Sequence, residues 1–192
     1  MVFCLLIQRK DTRQLKPHKR VKTPTPTMNF NKYTVKSQEV IQQASEIALG
    51  NGQQAVETGH LLQAILQSDE NLIGFLFKKL NANRRTLDTR LTETVQGYPK
   101  VSGGNPYLGN DAAAALQKAE NSLAEWGDEF VAIEHILLGI FAGRDRTAQL
   151  LKDAGITEKA LKNAIKELRG GNKVTDQHAE GKYRSLEKYS IN

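Results

Sequence analysis

Val56 to Ile65 reads VETGHLLQAI, and Val131 to Ile140 reads VAIEHILLGI. The two stretches share a leading valine, a histidine at the fifth place and apolar residues at the sixth, seventh and tenth, seventy-five residues apart. A recurrence of this kind at a fixed offset is the mark of an internal repeat, and a missed repeat misassigns a whole fold. The offset extends in both directions. It pairs Val40 with Ala115, Ile41 with Leu116 and Gly52 with Gly127; after a one-residue slip it pairs Leu76 with Leu150, Leu80 with Ala154, Leu87 with Leu161 and Leu91 with Ile165.

Between these anchors the apolar residues keep helical spacing. Val40, Ile41, Ala44, Ile47 and Ala48 mark one face of a helix over Val35 to Leu49, which Gly50, Asn51 and Gly52 stop. A second helix, with Thr58 as its cap, carries Leu61, Leu62, Ile65 and Leu66; a third opens at Asp69 with Leu72, Ile73, Leu76, Phe77 and Leu80; a fourth, capped by Asn83, carries Leu87, Leu91 and Val95. The connector GYPKVSGGNPYLGN breaks the pattern with Pro99, Gly103, Gly104 and Pro106. The order then repeats. Asn110 caps a helix through Ala115, Leu116, Ala119 and Leu123, a short helix carries Ile136, Leu137, Ile140 and Phe141, the next holds Leu150, Leu151 and Ala154, and Thr157 caps the last, with Leu161, Ile165 and Leu168 before Gly170 and Gly171. The pattern predicts an all-α fold: two tandem four-helix repeats, about 28–97 and 108–170, packed as one pseudo-twofold eight-helix domain. Units of about seventy residues gain stability by burying their apolar faces against each other.

Charge is unevenly placed. Seven basic residues (Arg9, Lys10, Arg13, Lys16, Lys19, Arg20 and Lys22) and one acid, Asp11, account for the whole formal net charge of +6, so the remainder of the 192 residues is balanced. A balanced globular part argues against nucleic acid as its partner. Residues 1–27, ending in TPTPT, read as a disordered basic extension or a mis-assigned start ahead of Met28, with a transit peptide as the rival. The opening VFCLLI is too short to span a bilayer, and the single cysteine, Cys4, lies in the same segment. No membrane role is expected, and the cysteine usage fits a cytoplasmic, reducing setting.

Chemistry is sparse. His60 and His135 hold equivalent places, yet a zinc site needs three or four ligands, and the other histidines, His18 and His178, lie in segments read as extended. Structural histidines near helix starts are the better reading, and no metal is expected. Glu134 beside His135 comes with no nucleophile or second carboxylate at a diagnostic spacing, so this chain is not read as an enzyme. No GxxxxGK[ST] and no GxGxxG occur, so no phosphate-cradling loop and no cofactor are expected. Aromatics gather outside the helical pattern: Phe30 and Tyr33 before the first helix, Tyr98 and Tyr107 in the connector, Trp126 and Phe130 around Gly127. Two readings stand for them: they cover helix ends, or they line a cleft between the halves that takes apolar side chains.

Several stretches together resemble a known family. MNFNKYTVKSQEVIQQASEIAL (28–49), ETGHLLQAIL (57–66), GNPYLG (104–109), GDEFVAIEHILLGIF (127–141) and LLKDAGITEKALKNAIKELRGG (150–171) are similar to the double N-terminal domain of Clp-type AAA+ unfoldases. The tail KVTDQHAEGKYRSLEKYSIN (173–192) resembles the linker toward the first ATPase module in the disaggregase, ClpB-type, branch of that family. The resemblance covers 28–192. It implies a domain over 28–170, a linker over 171–192 hinged at Gly170 to Asn172, and a module that binds exposed apolar segments of unfolded or aggregated proteins for threading by ATPase rings. ATP and magnesium belong to those missing modules, which would also make the homohexamer; the fragment alone is expected to be monomeric. A DnaK-type chaperone system is the implied collaborator. The alternative within the family is an adaptor-docking domain of a Clp protease ATPase subunit.

By motif match the resemblance sets polar rim positions of a substrate groove on Thr34, Asp128 and Glu134, where alanine substitutions should spare the fold, with Tyr33, Trp126, Phe130 and Val131 as apolar neighbours. Where relatives often carry small hydroxyl residues before the Glu-His pair, this chain has Ala132 and Ile133, which removes a hydroxyl cap from the expected helix start.

Overall fold

The computed structural model describes residues 30–68, 70–101 and 104–181. The basic extension 1–27 with Cys4 and His18, Asp69 at the expected start of the third helix, Gly103, and the tail from 182 onward lie outside the described residues.

After a 3-10 turn at Phe30–Lys32 the order is α1 (Val35–Gly50), β1 (Ala55–Val56), α2 (Thr58–Ser68), α3 (Glu70–Lys79), α4 (Arg84–Gln96), β2 (Tyr107–Leu108), α5 (Asn110–Trp126), α6 (Ile133–Phe141), α7 (Arg146–Asp153) and α8 (Glu158–Arg169). The fold is all-α, as the periodicity predicts, with four helices on each side of the connector. Thr34, Asn83 and Thr157 cap α1, α4 and α8, each side-chain oxygen accepting from an N–H in the first turn. Gly127 and Gly170 close α5 and α8 in the left-handed region that glycine enters at least cost. Two expected caps differ. Asn110 is the first helical residue of α5, with Gly109 at the cap position, and Thr58 begins α2 and turns its hydroxyl away to Asp145 and Thr147.

The two matched stretches, Val56 to Ile65 and Val131 to Ile140, form the centre. Every residue of α6 is buried, and α2 buries Thr58 to Leu62 and Ala64 to Leu66. α1 lies along α2, α5 along α6, and the two hairpins touch through α2 with α6, α1 with α6 and α2 with α5. The outer helices cross between repeats, α3 against α8 and α4 against α7, so one apolar core runs through both halves.

Two short parallel pairings, which carry too few residues for an alternating signal, stitch the halves together. β1 pairs with β2, Val56 opposite Leu108, and Tyr33 pairs with Val131 in an isolated bridge. The two are symmetry mates. Gly109 N–H donates to Val56 O at 2.9 Å, and Thr34 N–H donates to Val131 O at 3.0 Å; the second bond lies seventy-five residues from the first at one end and the reverse at the other. Each repeat's first helix is thus entered from a strand paired with the other repeat.

The tail departs from the expected linker. Gly170 and Gly171 (φ 55° and 87°) form the turn after α8, and the chain then returns over the domain, burying Val174, Ala179 and Glu180 against Ala132 beside Phe130. Residues 172–181 are a packed part of the domain, the counterpart in the second repeat of the connector that follows α4.

The central packing is close. A Cβ on Gly139 would lie 2.1 Å from the carbonyl oxygen of Ala115 on α5, while its mate on α2 is already an alanine, Ala64. Gly139→Ala therefore forces α5 and α6 apart and is expected to cost about 1–3 kcal/mol. Leu62→Ala and Leu137→Ala, at the fully buried mated positions of α2 and α6, should each cost about 2–5 kcal/mol. Urea unfolding followed by circular dichroism measures all three.

Candidate functional site

The start of each central helix is built on a histidine that caps from inside. In α2, His60 Nδ1 accepts from Glu57 N–H at 2.9 Å; in α6, His135 Nδ1 accepts from Ala132 N–H at 3.0 Å. Each ring's Nε2 is then left to face a partner seven residues upstream, Gln53 Oε1 at 2.7 Å or Asp128 Oδ2 at 3.0 Å. This is the structural reading of both histidines. Burial lowers His60 to a pKa of about 4, so its ring is neutral near neutral pH.

Around that common frame the repeats diverge. In the first, neutral groups fill the space: Gln53 Nε2 donates to the carbonyl of Val95, and Tyr98 stands over Gly59, where a Cβ would fall 2.6 Å from the phenol oxygen. In the second repeat the mates of Gln53, Gly59 and Val95 are Asp128, Glu134 and Arg169, and all three are buried. Arg169 Nη1 reaches Asp128 at 2.5 Å and its Nε reaches Glu134 at 2.8 Å. The guanidinium also stacks 4.9 Å from the Trp126 ring centre, and Trp126 meets His135 edge-on. For Asp128, burial alone would raise the carboxyl; bonds from His135, the Val174 N–H and Arg169 outweigh it and hold the group below its ordinary range.

Glu180, from the tail, completes the cluster. Its Oε1 accepts from the Thr34 hydroxyl at 2.6 Å and from the Ile133 N–H at 3.4 Å, so it sits at the N-termini of both α1 and α6. It takes up the capping role that Ala132 and Ile133 leave open. Burial first, and the Glu134 carboxylate second, push Glu180 up to a pKa of about 7. Oε2 of Glu134 and Oε2 of Glu180 have no hydrogen-bond partner. Among the described residues no group of three or more His, Cys, Asp or Glu is placed to hold a metal ion, and no helix is long and apolar enough to cross a membrane.

The structure brings the seven motif-matched residues together, but not as a rim. Thr34, Asp128 and Glu134 are buried beneath the tail, which corrects their expected exposure. Tyr33 and Val131 are fully buried in the inter-repeat bridge; the Tyr33 hydroxyl donates to Glu120 at 2.8 Å, and burial followed by that carboxylate raises its pKa. Trp126 and Phe130 are half-buried, and Phe30, packed on Tyr33 at 5.9 Å, is 43% exposed. Arg169 and Glu180, which hold the site together, were not among the expected residues. Repeat symmetry was the available signal for Arg169: it falls where the first repeat has a core valine.

Comparison with known proteins fits this architecture. The model of the Clp repeat (R) N-terminal domain family matches residues 32–154. The chain is 47% identical over 165 residues to the chaperone protein ClpB of Bacteroides thetaiotaomicron and 46% identical over 165 residues to that of Porphyromonas gingivalis. Each alignment covers 86% of this chain and 19% of the relative, so the chain spans about a fifth of the length of these curated relatives. In fold it is similar to the crystal structure of the Hsp104 N-terminal domain from Candida albicans, with a TM-score of 0.66 at 22% identity, over 78% of this chain and 99% of that one.

Burial turns the three polar residues into structural ones. Glu134→Ala or Asp128→Ala leaves Arg169 with one carboxylate in a dry site and should destabilise by about 3–5 kcal/mol in urea unfolding, where an exposed rim position would cost almost nothing. His60, by contrast, should titrate with a midpoint near 4 by imidazole NMR. Because that lies below the unfolded value of 6.5, this residue removes stability as pH falls from 6.5 toward 4, at most about 1.4 kcal/mol per pH unit.

Proposed function

The chain belongs to the Clp repeat N-terminal domain family, and from that membership we propose that it is the substrate-recognition module of a ClpB-like chaperone. It binds exposed apolar segments of unfolded or aggregated polypeptides and presents them to ATPase rings elsewhere in the parent protein, where ATP and magnesium act. Hexamer formation belongs to those rings, a DnaK-type system collaborates, the parent works in the cytoplasm, and the described domain by itself is a monomer. The 47% identity to a ClpB chaperone over most of the chain is the observation that carries the reading.

The geometry supports it in one respect above others. Phe30, Phe130 and Trp126 leave aromatic surface accessible around the one inter-repeat bridge that lies over the charged site, Tyr33 with Val131. Phe130 and Trp126 are the direct contacts in this reading, while Tyr33, Val131, Thr34, Asp128 and Glu134 hold the frame beneath them. Shallow apolar contact senses exposed hydrophobic area without reading a particular sequence, which suits many unrelated clients. A disordered client loses chain entropy when it docks, so single-site affinity is of order micromolar or weaker, and several copies on one ring compensate by avidity.

Trp126 is the single tryptophan and reports on this surface. Titration of the 192-residue chain with a permanently unfolded polypeptide should give a saturable fluorescence change, absent with a folded control, and Phe130→Ser should weaken it about tenfold. Silence in fluorescence and in an independent binding assay would transfer the function to docking of a folded adaptor.

A further inference from the structure

The tail lies on the domain as a bound peptide would. Val174 N–H donates to Asp128 Oδ1 at 2.8 Å, and Val174 O accepts from Glu129 N–H at 2.9 Å and Phe130 N–H at 3.2 Å. Further along, Gln177 O accepts from Val35 N–H at 2.9 Å, and Glu180 accepts from Thr34 and Ile133. Four backbone N–H groups of the domain, those of Glu129, Phe130, Val35 and Ile133, are therefore satisfied by this one segment, which is irregular over 172–175, turns at 176–178 and ends in helical residues at 179–181. Among its side chains only Val174, Ala179 and Glu180 are buried, the first two against Ala132. Most of its other side chains are exposed, and its buried anchor, Glu180, sits beside the Glu134 carboxylate with Oε2 of each lacking a hydrogen-bond partner; a hold so opposed belongs to the more easily opened part of a structure.

We propose that residues 172–181 are a releasable strap: docked, they close the face formed by Phe130, Ala132 and the N-termini of α1 and α6; lifted, they yield that face to a segment of an unfolded client that takes their place. This rests on the client-binding reading above. Lifting the strap strips acceptors from four N–H groups and uncovers the apolar seat of Ala132. An unfolded polypeptide that takes up the same turned course restores both, since its carbonyls accept from Glu129, Phe130 and Val35, an acidic or amide side chain accepts from Ile133, and small apolar side chains fill the seats of Val174 and Ala179. A folded, convex partner supplies neither. The ligand chemistry is thus a flexible peptide segment with a small aliphatic side chain, an acceptor side chain following a few residues later.

Glu180 sets how firmly the strap is held. Facing it are Glu134 on α6 and the Thr34 hydroxyl at the entry of α1; behind these lie His135, Asp128 and Arg169, and the strap itself carries Asp176 and His178. Docking raises Glu180 from 4.5 to about 7, so the docked form favours the protonated acid. Strap affinity is greatest below 4.5 and falls as pH rises toward 7, by at most about tenfold per pH unit, then levels off. Asp128, held below the ordinary carboxylate range, stays ionised across that window.

Hydrogen exchange on the intact chain tests this, with rates corrected for intrinsic pH dependence and the amides of α2 as the folding control. In Glu180→Lys the N–H groups of Val174, Val35 and Phe130 should lose protection at least about tenfold while α2 keeps its own, and the unfolded polypeptide should bind about tenfold more tightly. Glu180→Gln should stay docked and lose the pH dependence. Added to the unchanged chain, the unfolded polypeptide should deprotect Val174 while Phe130 and Val35 remain protected. Client binding that leaves Val174 as protected as before overturns the strap and leaves the proposed function standing. Loss of α2 protection in both Glu180→Lys and Ala179→Arg also overturns it, since the segment would then be integral to the fold. Absence of client binding to both the unchanged chain and Glu180→Lys removes the client-binding reading and the strap's ligand with it.

Discussion

Crossed backbone pairing between the repeats is the constraint on which the architecture depends. The segment ahead of α1 pairs at Val131, just before α6, and the segment ahead of α5 pairs at Val56, just before α2. Neither repeat contains both partners of either bridge, so neither completes its own helix entries alone. A unit of about seventy residues is marginal as an isolated core, and the crossing joins two such units into a core large enough to be stable. It also fixes where α2 and α6 meet. Gly139 against the Ala115 carbonyl is the tightest expression of that approach, since any Cβ there would push the hairpins apart.

On this duplicated frame the two halves have diverged in electrostatics while keeping their geometry. The inward-capping histidine is common to both because each central helix begins in a dry place, where an N–H needs an acceptor and no solvent supplies one. What surrounds the ring differs in kind. Where Val95 stands in one half, Arg169 stands in the other, and a buried guanidinium requires carboxylates at hydrogen-bonding distance. Asp128 and Glu134 answer that need. In the first half the neutral Gln53 and the phenol of Tyr98 occupy the same space with no buried guanidinium to balance.

Helix existence was legible because apolar spacing and glycine stops are local, and the repeat offset doubled each observation. Thr34, Asn83 and Thr157 act as the caps their positions suggested; Asn110 does not, because Gly109, bonded to Val56 O, takes the cap position and the helix starts one residue earlier than a cap at Asn110 would set it. The two-residue strands left no periodicity to detect. At the site, motif matching found residues that do converge, yet it misjudged their exposure, because what covers them arrives from the tail, 146 residues beyond Thr34. No local pattern reports a contact at that separation. The offset itself carried the missing information: the connector after α4 packs on the first repeat, so its counterpart after α8 had a place waiting on the second.

That counterpart is not held in the same way. The connector is fixed by α4 at one end and by β2 and α5 at the other, so its closure entropy is settled by the fold of the helices on both sides. Residues 172–181 follow α8, and their buried anchor, Glu180, accepts from Thr34 and Ile133 with the Glu134 carboxylate beside it working against its charged form. The same packing geometry therefore carries different stability in the two halves. The half with the weaker hold is also the one whose helix entries lie beside Phe130 and Trp126, so a change in docking of this segment alters the accessible apolar surface of the second repeat and, through Thr34 and Val35, the entry of α1 in the first.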